Sequence, residues 1–458
     1  MNINDTLRYL HIGLPGDILR HKMQGDYKEA IRLIDLKLQK DNLPQALRLC
    51  MIAQREIMLR QPEDYPYTKQ EALRLVRVDI PDFSAEEFDA LVDEGRIGWI
   101  FVNGEMRYFN RFFDTLLKTE RSIALRAGTV MPGSETGARD EMLNRSMRVM
   151  KEKGQISHRF RIRTSIRMKD ELFKPGMFVR VHLPLPCVCD QQSDIRIEKI
   201  FPENGQIAPE DAAQRTVCWE ENMAENHAFT AEYTYAHTAR YHDVSKIVPS
   251  KEQPDFFTQE EAPHILFTPY IRELVSSLTE GVSDPLEKAR RFYDFITLNM
   301  KYSFQPEYFM LESIAENCAR SYTGDCGVFA LLFITLCRCA GIPAQWQSCM
   351  AAEPGDCGCH DWARFYIAPY GWLYADPSFG TGAVRAGNEE RRQFYFGNLD
   401  GYRMVANSAF QHDFTIPKKH WRADPYDNQR GEMETEDFGL RFSQFDVTME
   451  TVECTELE

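Results

Sequence analysis

The chain has 458 residues, 43% hydrophobic and 27% charged, with 26 Gly and 23 Pro spread along its length. At roughly 150 residues per domain this leaves room for about three cored domains, and it excludes a single small module, a collagen-like fibre and a wholly disordered chain. The 54 Lys plus Arg against 69 Asp plus Glu give a net charge of −15, the wrong sign for a general binder of nucleic-acid phosphates, so no nucleic-acid partner is expected.

Residues 1–150 read as a helical N-terminal region. Tyr27 to Leu38 and Gln45 to Leu59 are rich in Leu, Ile, Ala, Glu and Arg at helical spacing, with Pro44 and Pro62 as interruptions. Over 151–250 the period becomes two. Phe160, Ile162, Thr164, Ile166 and Met168 alternate with polar residues, and Phe178 to Leu185 and Phe229 to His237 repeat the pattern, which predicts a β-sandwich. Val248 to Thr258 has the composition of a linker, and a third domain is expected over 251–430, opening with helices at Ile271 to Leu278 and Pro285 to Met300. The remainder, 431–458, holds nine acidic residues against Arg441 alone. This acidic tail reads as a solvated, partly frayed terminus, with attraction to a basic partner as the functional alternative. No window approaches the ~18 apolar residues of a membrane span, and Met1 to Asp17 lacks a secretory pattern. A cytoplasmic protein with no membrane partner and reduced cysteines is therefore expected.

Seven of the 12 cysteines lie between 318 and 359. Gly324-Asp-Cys-Gly stands directly before Val328, Leu331, Leu332, Thr335, Leu336 and Cys339, the spacing of one buried helix face, and Gly341 and Pro343 end the helix. Asp325 or Thr323 can cap it, which places Cys326 in the first turn, where free N–H groups and the dipole favour a thiolate. The same N–H groups could hold an oxyanion. Cys337 and Cys339, further along, read as packing residues.

A thiol nucleophile needs an imidazole base, and the base needs an orienting group. His360 opens the alternating run His360-Asp-Trp-Ala-Arg-Phe-Tyr-Ile367, Pro369-Tyr-Gly makes a turn, and Trp372 to Asp376 returns. A hairpin centred near Ala368 sets position 364 against 372, 362 against 374 and 360 against 376, so Asp376 can reach the His360 ring. A two-residue slip would keep them diagonal neighbours, whereas a one-residue slip would separate them onto opposite faces. On this reading Trp362, Trp372 and Tyr374 share a face and are candidate substrate-binding residues in an acyl groove, with core packing as their alternative.

These residues resemble the transglutaminase-like superfamily, in particular bacterial proteins with a papain-like core. The likeness rests on Gly324-Asp-Cys-Gly-Val-Phe-Ala-Leu-Leu-Phe, Cys339-Ala-Gly-Ile-Pro-Ala344, His360-Asp-Trp-Ala-Arg-Phe-Tyr-Ile and Gly371-Trp-Leu-Tyr-Ala-Asp-Pro-Ser378, and it spans about 284–379. The resemblance implies an α+β fold in which a papain-like core follows a sandwich and a helical region. It also implies that Cys326 is the nucleophile, His360 the general base and acid, and Asp376 the orienting carboxylate. Phe394 to Asn407 looks like a continuation of the core sheet. Gln345 departs from the family, many members of which carry Arg there. The second oxyanion donor is open among Tyr302, Gln305, Tyr308 and Tyr322, with Tyr302 best placed by analogy. The implied chemistry is cysteine-dependent acyl transfer at amide bonds of a protein or peptide substrate, as a peptidase or amidase more than a cross-linker, and no cofactor or metal is required. Two other readings stand beside it. A scaffold could keep the fold without turnover, or Cys357-Gly-Cys-His360 with Cys337 and Cys339 could form a structural zinc site, although the Cys-X-Cys spacing is not the usual knuckle.

Overall fold

Alternation dictates the middle of the molecule. The computed structural model describes residues 2–129 and 137–458, so 130–136 of the expected helical region lie outside the described residues. Strands β1 (Gln155–Met168), β2 (Met177–Pro184), β3 (Gln192–Phe201), β4 (Gln206–Ile207), β5 (Thr216–Met223) and β6 (Phe229–Arg240) form most of two facing antiparallel sheets. Inward residues Phe160, Ile162, Val181, Trp219 and Tyr233 are fully buried in one cluster.

The acidic tail corrects the expectation of a frayed end. Glu432–Thr435 pairs with β2 and Phe445–Leu457 with β1, each closing an edge of one sheet. The physical reason lies some 290 residues upstream in sequence, in the outward arginines of β1. Arg163 bonds Glu450 at 3.4 Å and Glu232 at 3.0 Å, and Arg161 lies 3.9 Å from Glu453. The basic partner that attracts the tail is a strand of the same chain.

The core sheet runs in the order β10-β9-β8-β7-β11, where β7 is Ala344–Glu353, β8 Asp356–Ile367, β9 Gly371–Ala375, β10 Phe396–Gly397 and β11 Arg403–Asn407. The expected continuation at 394–407 therefore supplies both sheet edges, with Phe394 itself ending a short helix. The helix Cys326–Cys339 packs on one face, its Phe333 ring 5.5 Å from Phe365 of β8. The opposite face, with Trp362, meets Cys187 from the sandwich. The β8–β9 hairpin pairs Arg364 with Tyr374 and Ala363 with Ala375, two residues from the expected register but with the same parity.

The N-terminal region carries the expected helices, among them Tyr27–Leu38 and Gln45–Asp64, and also a hairpin, Trp99–Val102 with Glu105–Tyr108. Its turn is Asn103-Gly104, with φ of +48° and +89°, the two-residue signal that a helical reading passed over. The region sits directly on the core: Asp64 Oδ2 accepts the Glu307 N–H at 2.7 Å, and Thr115 Oγ1 accepts the Phe304 N–H at 3.2 Å. No helix among the described residues is long and apolar enough to cross a membrane.

Candidate active site

The nucleophile candidate starts its helix as the sequence predicts. Asp325 is the N-cap, accepting the Val328 N–H at 3.1 Å, and Cys326 is the first helical residue. Tyr308 donates its hydroxyl to Asp325 at 2.5 Å. A Cβ on Gly327 would fall 2.2 Å from that hydroxyl and 2.8 Å from Asp361 Oδ2, so close approach excludes a side chain after Cys326.

His360 Nε2 lies 2.7 Å from Asp376 Oδ2, the diagonal contact left by the two-residue slip. Asp376 is completely buried and also accepts Phe379 N–H at 2.8 Å and Arg403 Nη1 at 2.9 Å. Arg403, itself completely buried, is gripped by Asp400 and lies 4.2 Å over the Phe379 ring. These partners hold the Asp376 carboxyl below the ordinary range, His360 and Arg403 outweighing burial. Burial lowers the His360 imidazole despite Asp376, which favours its uncharged form.

The thiol does not bond to the imidazole. Cys326 Sγ donates to Asp361 Oδ2 at 3.2 Å. Asp361 in turn shares Gln429 Nε2 with Asp427, which also accepts Ser348 Oγ at 2.5 Å. Burial and the carboxyls of Asp361 and Asp325 push the Cys326 thiol well up, with Lys118 opposing them. This corrects the expectation of a lowered thiol: the helix terminus is present, but desolvation and two neighbouring acids outweigh it. Burial and Asp427 likewise raise Asp361 well above the carboxylate range.

Cys326 and His360 both line a cavity of about 400 Å³ that Tyr302, Lys118 and Phe379 also line. A second cavity of about 380 Å³ meets it at Cys326 and is lined by Asp361, Asp427 and Tyr308. Tyr302 borders both, on a strand that pairs with Gly324 beside the nucleophile. Gln305 borders the second cavity, its amide donating to Ser303 O at 3.0 Å, whereas Tyr322 borders neither and is 44% exposed.

The aromatic face is not at the site. Trp362 is fully buried with Nε1 on Gln347 Oε1 at 2.9 Å, Trp372 packs beneath Arg364 at 4.3 Å, and Tyr374 donates to Gln191 at 2.8 Å. None of the three lines the cavities at Cys326, because beyond His360 that sheet face is used against the sandwich and the linker. Gln345, the departure from the family, accepts Arg364 Nε at 3.0 Å. The zinc reading finds no geometry: among the described residues no group of three or more His, Cys, Asp or Glu is arranged to hold a metal, and Cys337 is buried in the helix core.

The sequence reading missed Asp361, Asp427 and Arg403. Asp361 is adjacent to His360 and was legible only as a residue of the opposite strand face; Arg403 and Asp427 come from chain beyond the hairpin.

Among protein families, residues 272–377 match the family model described as transglutaminase-like superfamily. No curated protein matches the chain. Solved structures resembling it include a candidate cysteine protease from Cytophaga hutchinsonii, at 14% identity and TM-score 0.43 over 66% of this chain and 91% of that one. Another is the periplasmic domain of TgpA from Pseudomonas aeruginosa, at 14% identity and TM-score 0.28 over 54% and 96%. A candidate protease from Parabacteroides distasonis shares 11% identity at TM-score 0.23 over 50% and 60%. These overall likenesses are too low to add to the family match. With a helix-capping Asp-Cys-Gly and a hairpin that joins His360 to Asp376 inside the matched residues, the segment 272–377 carries a transglutaminase-like core.

Proposed function

We propose that the protein is a cysteine-dependent acyltransferase acting on amide bonds of peptides, with water as its main acceptor. The observation that carries this is the His360–Asp376 pair. It leaves Nδ1 of the imidazole without a protein partner among the described residues, in the cavity that also holds Cys326. Substrate entry would turn the thiol from Asp361 toward His360. Sγ then attacks the carbonyl carbon while its proton passes to Nδ1, and the developing oxyanion faces the N–H groups of the helix start and the Tyr302 hydroxyl. Collapse breaks the C–N bond, Nδ1 returns the proton to the departing amine, and a thioester remains. Water, deprotonated by His360, releases the acid and restores the thiol. Asp376 keeps the tautomer that presents Nδ1, and Arg403 keeps Asp376 charged.

The competing reading, a transglutaminase-like fold without turnover, has one observation in its favour: the thiol's bond is to Asp361 rather than His360. Mass spectrometry of a mixed short-peptide library incubated with the wild type, Cys326→Ala and His360→Ala separates the two. Cleavage by the wild type that both variants lose, with one ¹⁸O entering each new carboxyl from labelled water, supports the proposal. No cleavage favours the silent fold, and cleavage unaffected by Cys326→Ala overturns the cysteine mechanism.

A further inference from the structure

The two cavities that meet at Cys326 are lined by opposite kinds of ionisable side chain. The lobe on the Asp361 side is lined by Asp64, Glu307, Asp325, Asp361, Asp424 and Asp427, and by Glu432, which Lys418 pairs at 2.9 Å; its cations are Arg430 and Arg111, the latter shared with the other lobe. Arg430 lies 3.9 Å from Glu307 and Arg111 3.1 Å from Asp114. Among the described residues, neither Asp361, Asp424, Asp427 nor Asp325 has an ion pair with a basic side chain. Burial pushes Asp64 up to about 6 and Glu307 up to about 7, as happens to acids short of counter-charge.

A second feature of this lobe is independent of its acids. Asn428 lines it, is 2% exposed, and has a buried Nδ2 with no hydrogen-bond partner. Its Oδ1 is already used by the Gly431 N–H at 3.0 Å. A donor left unpaired at this depth lacks an acceptor oxygen. A group that offers an ammonium to the carboxyls and a carbonyl oxygen to Asn428 is an amino-acid residue with a free amine.

The lobe on the His360 side is basic. Arg139 and Arg391 are held there by Glu353 and Asp140. Lys118 and Arg385 have no carboxylate partner among the described residues; Lys118 Nζ lies 4.0 Å over the Tyr302 ring, and burial pulls it down to about 8. Both face space beside the nucleophile, positioned to receive an anion.

We propose that this cleft is built for a zwitterionic peptide amide, its acyl half carrying an ammonium group into the acidic lobe and its amine half carrying a carboxylate into the basic lobe. The inference deepens the proposed function and rests on it for direction. His360 must reach the departing nitrogen, and His360 lines the basic lobe alone, so the amine half lies there and the acyl half opposite.

The test is calorimetric titration of the full-length Cys326→Ala protein with four peptides: Ala-Ala-Ala-Ala with both termini free, its N-acetyl form, its C-amide form, and acetyl-Ala-Lys-Ala-Ala with a free C terminus. The free peptide is expected to bind at least about tenfold tighter than either singly blocked form. Asp427→Asn, or Asp64→Asn where the first variant does not fold, should remove the preference for the free amine, and Lys118→Met the preference for the free carboxylate. Tightest binding by the lysyl peptide assigns the ammonium to a side chain instead of a peptide terminus. Equal binding of free and blocked peptides, or none by any of the four at about 5 mM, overturns the proposal. Wild-type turnover keeps the two claims apart. Binding of the free peptide without its cleavage contradicts the catalytic reading alone, and cleavage of blocked peptides at the same rate contradicts the charge assignment alone.

Discussion

Two neighbouring residues of β8 face opposite sides of one sheet and end in opposite electrostatic situations. On the His360 side the charges are closed: imidazole, Asp376, Arg403 and Asp400 follow one another at hydrogen-bond distance, and each carboxylate has a cation. On the Asp361 side they are open: thiol, Asp361, Gln429 and Asp427 form a chain of bonds with no basic side chain in it. Burial acts on both, yet it leaves Asp376 lowered and Asp361 raised. The difference is counter-charge, not depth. The first arrangement fixes a base in one orientation. The second keeps a nucleophile protonated and leaves a place for a cation.

The contrast breaks most sharply if the closed side is opened. Asp376→Asn would leave the ring without its anionic partner and lower peptide turnover by at least about 100-fold, measured as kcat with the fold checked by circular dichroism. Arg403→Met would strand two buried carboxylates, Asp376 and Asp400, and cost about 3–5 kcal/mol in urea unfolding; a loss below about 1 kcal/mol would mean that the cation is not what holds them. On the open side, Asp361→Asn removes an acid that raises the thiol, so Cys326 should be alkylated by iodoacetamide about tenfold faster at pH 7. Slower labelling would show that Asp361 activates the thiol instead.

The smallest effect is on stability. Asp64 titrates at about 6 in the folded chain, above its unfolded value of about 4, so its contribution is fully present below pH 4 and is lost as pH rises through 6. Asp64→Asn should therefore gain about 1–2 kcal/mol relative to the wild type between pH 4.5 and 7.5. A gap that does not change with pH would refute the raised titration.

What the sequence made legible was local. A capping Asp before Cys326 and an apolar helix face after it are read within fifteen residues, and strand alternation fixed which faces His360 and Asp376 share. Alternation has period two, so it set the parity of the hairpin but not its register, and the observed pairing is two residues away. Contacts between distant segments were not legible. Arg403 reaches Asp376 from β11, at the other edge of the sheet, and the Arg-rich strand that orders the acidic tail lies far upstream of it. The aromatic face of Trp362 was readable as a face, but which layer covers it depends on how the sandwich docks. The thiol's elevation was missed for a related reason: the helix terminus is a local signal, whereas Asp361 and the depth of the cleft arise from packing.

The central claim is that Cys326 carries the acyl group and His360 moves its proton. The direct measurement is rapid-quench mass spectrometry of the full-length chain mixed with alanine p-nitrophenyl ester, followed by peptide mapping. The account predicts one acyl group, on the peptide that contains Cys326, formed by the wild type, absent in Cys326→Ala and slow both to form and to clear in His360→Ala. Acylation shared among the other cysteines at the same rate, or nitrophenol release unchanged by Cys326→Ala, would contradict it.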